Sequence, residues 1–163
     1  AGVARRVGAD VAFFLDPHPG LYLGAGDVLE QTFPEFAVPV ALVMPAVDGV
    51  STKEAYDEFD RAGEAPAGYE AACAALASGD VAAMAASLYN NLAPAACSLC
   101  EDVAAVSSWI ARQQGVLGSM VTGSGACSFA LCERMDVAER IARDARETRG
   151  WRAWAATCGG ALG

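Results

Sequence analysis

Three short stretches carry residue types and spacings that could do chemistry. Asp10 stands in Gly8-Ala9-Asp10-Val11-Ala12-Phe13-Phe14-Leu15, behind two small residues and ahead of an apolar run. Small neighbours let other groups approach, and apolar ones dry the surroundings, a setting that tunes a carboxylate for proton transfer. An N-cap or a turn explains the same acid. Thr122-Gly123-Ser124-Gly125 lies between two apolar runs. Its glycines allow backbone N–H groups to converge on an anion, and its hydroxyls add donors. The alternative is a tight hairpin, although four small residues exceed what a two-residue turn requires. Asn90-Asn91 closes a helical stretch, where side-chain amides cap, bind a substrate or do both.

Other candidates carry less. Gly24-Ala25-Gly26-Asp27 is a tight spot where the backbone could pass close to a ligand, but a lone Gly-x-Gly reads equally as a hairpin exit. His18 is the only histidine and sits between Pro17 and Pro19, with no Ser or Cys nearby to complete a nucleophilic triad. Cys97-x-x-Cys100 has redox or zinc spacing, yet no second pair or nearby His supplies further ligands, so it reads as helix packing. The six cysteines lie in Ala-rich or strand-like surroundings and read as reduced thiols of a cytosolic protein.

The elements that must position these groups follow from periodicity. Residues 11–15 and 20–23, joined by Asp16-Pro17-His18-Pro19, suggest a strand pair. Val38 to Met44 is a buried strand ended by Pro45. Ser51 or Thr52, with Glu54 behind, caps a helix carrying Ala55, Tyr56 and Phe59. Residues 62–68 read as a loop. From 69 to 92 the chain is mostly alanine, broken by Ser78-Gly79-Asp80, which predicts two short helices with Asp80 at an N-cap. Leu99, Val103, Val106 and Ile110 share one face of a helix ending at Gly115. Strands over 117–122 and 127–132 flank the glycine stretch. Asp136 opens a last helix with Val137, Ile141 and Ala145 inward and a Glu139–Arg143 pair, and residues 151–156 form a closing strand. From residue 37 the expected fold is α+β: a ferredoxin-like split βαβ sandwich with an enlarged first crossover.

The totals bound the function. The chain has 163 residues, enough for one ordinary domain with a core, and an apolar fraction of 54% rules out a disordered or fibrous class. Eleven basic against twenty acidic residues give a net charge of -9, which repels phosphate backbones and anionic lipid, so neither nucleic acid nor membrane is an expected partner. A small anionic substrate stays open, because backbone amides can reverse the field inside one pocket. No run approaches the roughly 18 apolar residues needed to span a bilayer, and the start lacks a signal-peptide pattern; the expected location is cytoplasmic.

Taken in order, Gly8-Ala9-Asp10-Val11-Ala12-Phe13-Phe14, Gly24-Ala25-Gly26-Asp27, Pro45 through Val50-Ser51-Thr52, Asn90-Asn91-Leu92 and Val121-Thr122-Gly123-Ser124-Gly125-Ala126-Cys127 resemble the GHMP kinase superfamily. Within it, Val50-Ser51-Thr52 followed four residues later by Tyr56 is similar to the kinases of the non-mevalonate isoprenoid route. The resemblance implies phosphoryl transfer from ATP, with Mg2+, to the 2-hydroxyl of 4-diphosphocytidyl-2-C-methyl-D-erythritol. It places Asp10 as the base on that hydroxyl, Tyr56 beside the cytosine ring and Ala25 on an apolar position of the same pocket. It counts Thr52, Asn90, Thr122, Gly123, Ser124 and Gly125 as substrate-binding, the last four beside the phosphates. It further implies that residues 1–36 are the tail of an N-terminal domain and residues 37–163 the C-terminal domain. Ala12 replaces a usual proline, and Ala93 an acid frequent after the Asn-Asn-Leu motif. The segment with the family's catalytic lysine and its long glycine- and serine-rich ATP loop lies upstream of the aspartate in the family and is not in this sequence. The chain is therefore expected to be a C-terminal piece, inactive alone, and prone to self-association through the apolar stretch 11–23. Two other readings remain: another GHMP kinase without a cytosine requirement, and a non-catalytic ferredoxin-like module that binds a metabolite or partner.

Overall fold

The computed structural model describes residue 13 and residues 17–47, 49–63 and 67–159. β1 (Gly20–Leu23) and β2 (Val28–Thr32) form an antiparallel hairpin of their own. A second sheet holds β3 (Ala37–Met44), β4 (Val116–Val121), β5 (Ser128–Cys132) and β6 (Arg152–Gly159), in the antiparallel order β4-β5-β3-β6. Between β3 and β4 run α1 (Thr52–Ala62), α2 (Glu70–Ser78), α3 (Val81–Ala86), α4 (Ala93–Leu99) and α5 (Glu101–Ile110). α6 (Met135–Arg149) carries the chain from β5 to β6. From β3 onward this is the split βαβ sandwich with an enlarged first crossover that the order of elements predicts.

β3 is central and apolar along its length because both its faces are covered. Its register puts Ala41 beside Ala130 and Ala155, and Val43 beside Ser128 and Ala153, all on one face. Val106 and Ile110 of α5 and Val137, Ile141 and Ala145 of α6 close that face into the main core. On the other face Val38, Val40 and Leu131 meet Ala85 of α3. A Cβ added to Gly118 of β4 would lie 2.6 Å from the Ala85 carbonyl oxygen, so the backbone of α3 rests directly on the strand. Pro39 fits inside β3 because pairing with β5 begins only at Val40, leaving β6 as its sole neighbour. Among the described residues no helix is long and apolar enough to cross a membrane.

Local signals explain the helix ends. Asp80 accepts the Ala83 N–H at 3.0 Å and starts α3 where expected. Gly79 and Gly150 take positive φ and close α2 and α6.

Three expectations are corrected. β1 finds its partner in β2, a pairing the sequence did not suggest, since Gly24-Ala25-Gly26-Asp27 is itself the tight turn that folds 28–32 back on 20–23. Of the expected strand 11–15, Phe13 is helical and meets Tyr22 edge to face at 5.6 Å, while the other four positions lie outside the described residues. The helix expected through Leu99 to Gly115 is two helices: Cys100 is extended (φ -143, ψ 109), so α4 ends and α5 restarts in a new direction. Val103, Val106 and Ile110 are fully buried, whereas Leu99 is 44% exposed. On α6 Arg143 stands against the adjacent Asp144, and the pair spaced by four is Arg140–Asp144, 3.7 Å apart, in place of Glu139–Arg143.

Candidate functional site

Three segments meet at one end of the larger sheet: the N-terminus of α1, the connection between α3 and α4, and the loop from β4 to β5. Ser51 caps α1 in an extended conformation, its Oγ accepting the Glu54 N–H at 3.5 Å. This leaves Thr52 as the first helical residue, at the end of the helix where backbone N–H groups face outward with a partial positive charge. The Thr52 and Ser124 hydroxyls are 3.0 Å apart, so the helix start and the glycine loop touch through two groups that each donate and accept.

The loop is held from below and from the side. Gly123 and Gly125 have φ of +58° and +89°, backbone that side chains with a Cβ rarely adopt. The Thr122 N–H donates to the Cys127 carbonyl (2.9 Å) and the Gly125 N–H to the Thr122 carbonyl (3.1 Å), closing the turn. Beneath it Ala96, Val103, Val121 and Ala126 form a small core cluster, against which Val50 and Ala93 pack. From the side, the Asn90 amide nitrogen donates to the carbonyls of Val121 (2.7 Å) and Gly123 (2.9 Å), and its Oδ1 accepts the Leu92 N–H (2.9 Å). Gly49 completes the enclosure: a Cβ there would lie 3.5 Å from the Ala126 nitrogen.

Lys53 follows Thr52, fully exposed, with its ammonium 2.5 Å from Asp57 one turn on, which holds its pKa above the ordinary lysine value. Burial pushes the Cys127 thiol up, so this cysteine is not a thiolate nucleophile at neutral pH. The corner can surround an anion with backbone amides and two hydroxyls; it offers no built acid–base pair of its own.

The structure therefore brings together Thr52, Asn90, Thr122, Gly123, Ser124 and Gly125. Tyr56 stands one turn beyond Thr52 on α1, 54% exposed. Ala25 sits in the β1–β2 turn, its N–H donating to Asp27 at 3.3 Å, and takes no part in the hydrogen bonds of the cluster. Asp10 lies outside the described residues. His18 has Nδ1 3.8 Å from a Glu35 carboxylate oxygen at the base of the β1–β2 hairpin. Cys97 and Cys100 pack against the small cluster under the loop, burial raises the Cys97 thiol, and among the described residues no three acids, cysteines or histidines could hold a metal. Gly49 and the bridging role of Asn90 are not marked by any local pattern, because their partners are far away in the chain.

Comparison with known proteins follows the same outline. The family described as GHMP kinases C terminal matches residues 72–149. The chain is 35% identical over 152 residues to the 4-diphosphocytidyl-2-C-methyl-D-erythritol kinase of Desulfitobacterium hafniense (strain Y51), covering 93% of this chain and 52% of that protein. It is 34% identical over 148 residues to the enzyme of the same name from Pelotomaculum thermopropionicum, covering 90% and 50%. A crystal structure of 4-(cytidine 5'-diphospho)-2C-methyl-D-erythritol kinase superposes with a TM-score of 0.78 at 32% identity, over 98% of this chain and 57% of the other. The chain thus spans about half the length of the curated relatives it matches. Residues 72–149 are thus a GHMP kinase C-terminal domain, and the sheet and helices that enclose it share the fold of that kinase structure.

Proposed function

We propose that the gene product is a small-molecule kinase that transfers the terminal phosphoryl group of ATP to the 2-hydroxyl of 4-diphosphocytidyl-2-C-methyl-D-erythritol, and acts in the cytoplasm. In this reading residues 37–163 are its C-terminal domain and residues 1–36 the end of the domain before it. The observation that carries it is the meeting of the α1 N-terminus with the Thr122–Gly125 loop through hydroxyls 3.0 Å apart, in a chain 35% identical to a kinase of that name.

The chemistry asks little covalent work of the protein and much positioning. The substrate oxygen forms a bond to the terminal phosphorus, the bond from that phosphorus to the bridging oxygen breaks, and ADP leaves with the electron pair. The hydroxyl proton passes to the Asp10 carboxylate, a base of suitable type if it stands within hydrogen-bond reach. Thr52 and the Thr122–Gly125 loop supply hydroxyl and amide donors for phosphate oxygens, which suits the ATP that the family uses. Tyr56 offers its exposed ring to the cytosine, and Ala25 an apolar contact in the same pocket. The described residues contain no carboxylate cluster for magnesium.

The test is ATP-dependent phosphorylation of the diphosphocytidyl alcohol by the full-length gene product. Turnover that cytidine nucleotides inhibit and that Asp10→Asn abolishes is the expected result. A fully active Asp10→Asn enzyme would remove Asp10 as the base, and turnover indifferent to cytidine would point to a different alcohol.

A further inference from the structure

Asn90 directs both donors and one acceptor site of its side-chain amide at the backbone around the glycine loop. Both protons of its amide nitrogen are directed at carbonyls, those of Val121 and Gly123, and its Oδ1 takes the Leu92 N–H. The assignment of nitrogen and oxygen is forced, since a flipped amide would set its oxygen against two carbonyl oxygens. The Asn90 backbone carbonyl also accepts the Ala93 N–H at 3.1 Å, so the same residue anchors the start of α4. Asn91, its neighbour, faces elsewhere and lines a shallow cleft with Glu58, Phe59 and Pro94.

These bonds fix more than the position of the loop. In a trans peptide the C=O and the following N–H point in opposite directions. With the Val121 carbonyl turned to Asn90, the Thr122 N–H is turned to the Cys127 carbonyl, as observed. With the Gly123 carbonyl turned to Asn90, the Ser124 N–H must face the opposite side of the loop. Gly123 has φ +58° and open space around it, so its own backbone does little to hold that peptide plane.

We infer that Asn90 is a positioning residue: it turns the Gly123–Ser124 peptide so that the Ser124 N–H is presented as an anion donor, and it does not itself bind substrate. The inference deepens the kinase reading above and rests on it for the identity of the anion, a phosphate of ATP. Asn90→Asp is the discriminating change, because it keeps size and shape, keeps the acceptor for Leu92, and replaces a double donor with an oxygen that repels both carbonyls.

The experiment compares wild type, Asn90→Asp and Asn90→Ala in the full-length gene product with two readouts. The first is amide hydrogen exchange. In Asn90→Asp the Thr122 and Gly125 amides should exchange at least about tenfold faster while Ala130 and Leu131 in β5 keep their protection, showing that the fold survives. The second is steady-state kinetics across pH. Loss of one oriented donor to a charged group predicts a fall of roughly tenfold to a hundredfold in kcat/KM for ATP at neutral pH, with KM for the alcohol nearly unchanged. A carboxylate facing two carbonyls is held above its ordinary pKa, and once protonated it donates to one of them. The ratio of Asn90→Asp to wild-type activity should therefore climb as pH falls, and the ratio for Asn90→Ala should stay flat. Faster loop exchange with unchanged ATP kinetics would reduce Asn90 to a structural residue and overturn the inference, as would unchanged exchange. If the wild type shows no kinase activity, the kinase reading fails, and loop exchange alone then decides whether Asn90 sets the peptide.

Discussion

The β1–β2 and β4–β5 hairpins turn on similar residues and end in different conditions. Gly24-Ala25-Gly26-Asp27 between β1 and β2 closes on itself: the Gly26 N–H donates to the Leu23 carbonyl at 3.1 Å, and Asp27 accepts the Ala25 N–H. Thr122 to Cys127 between β4 and β5 also has two glycines with positive φ, but it is held by residues from elsewhere, Asn90 beside it, Thr52 above it and Ala96 below. A turn that satisfies its own polar groups needs only local sequence. One that draws on three remote segments has been given an orientation, and orientation is what a ligand site requires.

The contrast can be broken at the glycines first. Gly26 has φ +84° and nothing around it, so Gly26→Ala should cost about 1 kcal/mol from backbone strain alone. Gly125 has φ +89° with the Ala96 Cβ only 3.4 Å from where its own would stand, and Gly125→Ala should cost about 2 to 3 kcal/mol. Urea unfolding of the two variants side by side measures the gap, and equal costs would mean that the second loop is no more confined than the first.

The polar braces come next. Asn90→Ala leaves two carbonyls without a donor and should destabilise by about 2 kcal/mol, against about 0.5 kcal/mol for Asp27→Ala in the exposed turn. Ser128, the first residue of β5 after the loop, sharpens the picture in the opposite direction. Its Oγ is fully buried with no hydrogen-bond partner, so Ser128→Ala should raise stability by about 0.5 to 1 kcal/mol, read from the same unfolding curves. A loss of stability would reveal a partner for that hydroxyl.

The smallest effect concerns pH. The Cys127 thiol is raised above its ordinary value of 9.0 by burial. A raised native pKa means that the neutral thiol's contribution is complete below the unfolded value and is lost as pH rises through the folded one. The β4–β5 loop should therefore loosen in alkali, and Cys127→Ser should remove that dependence while the β1–β2 turn shows none. Loop amide exchange with and without the substitution would check it.

Much of this fold was legible because its signals are local. Asp80 announces a helix start, Ser51 another, and the apolar run from Val38 to Met44 can only be a strand covered on both faces. The break at Cys100 was hidden, since Leu99, Val103, Val106 and Ile110 keep helical spacing across it and nothing in that pattern records a change of direction. The β1–β2 pairing was not legible around residue 20, because two turn-forming stretches, 16–19 and 24–27, flank it, and periodicity does not say which one folds back. The glycine loop could be suspected from four small residues in a row. Asn90 as its brace could not, because its partners Val121 and Gly123 lie in another element and only the folded sheet brings them within 3 Å.

The strand order has a consequence for how the chain is made. β3 is at the centre of its sheet, yet both neighbours come late: Val43 awaits Ser128 on one side and Ala153 on the other. During synthesis five helices emerge before either edge of this apolar strand can be paired, and the last partner, β6, arrives only after α6. The sheet therefore closes only once residues 152–159 have emerged, with β3 waiting until then as an unpaired, aggregation-prone segment that a chaperone would have reason to hold.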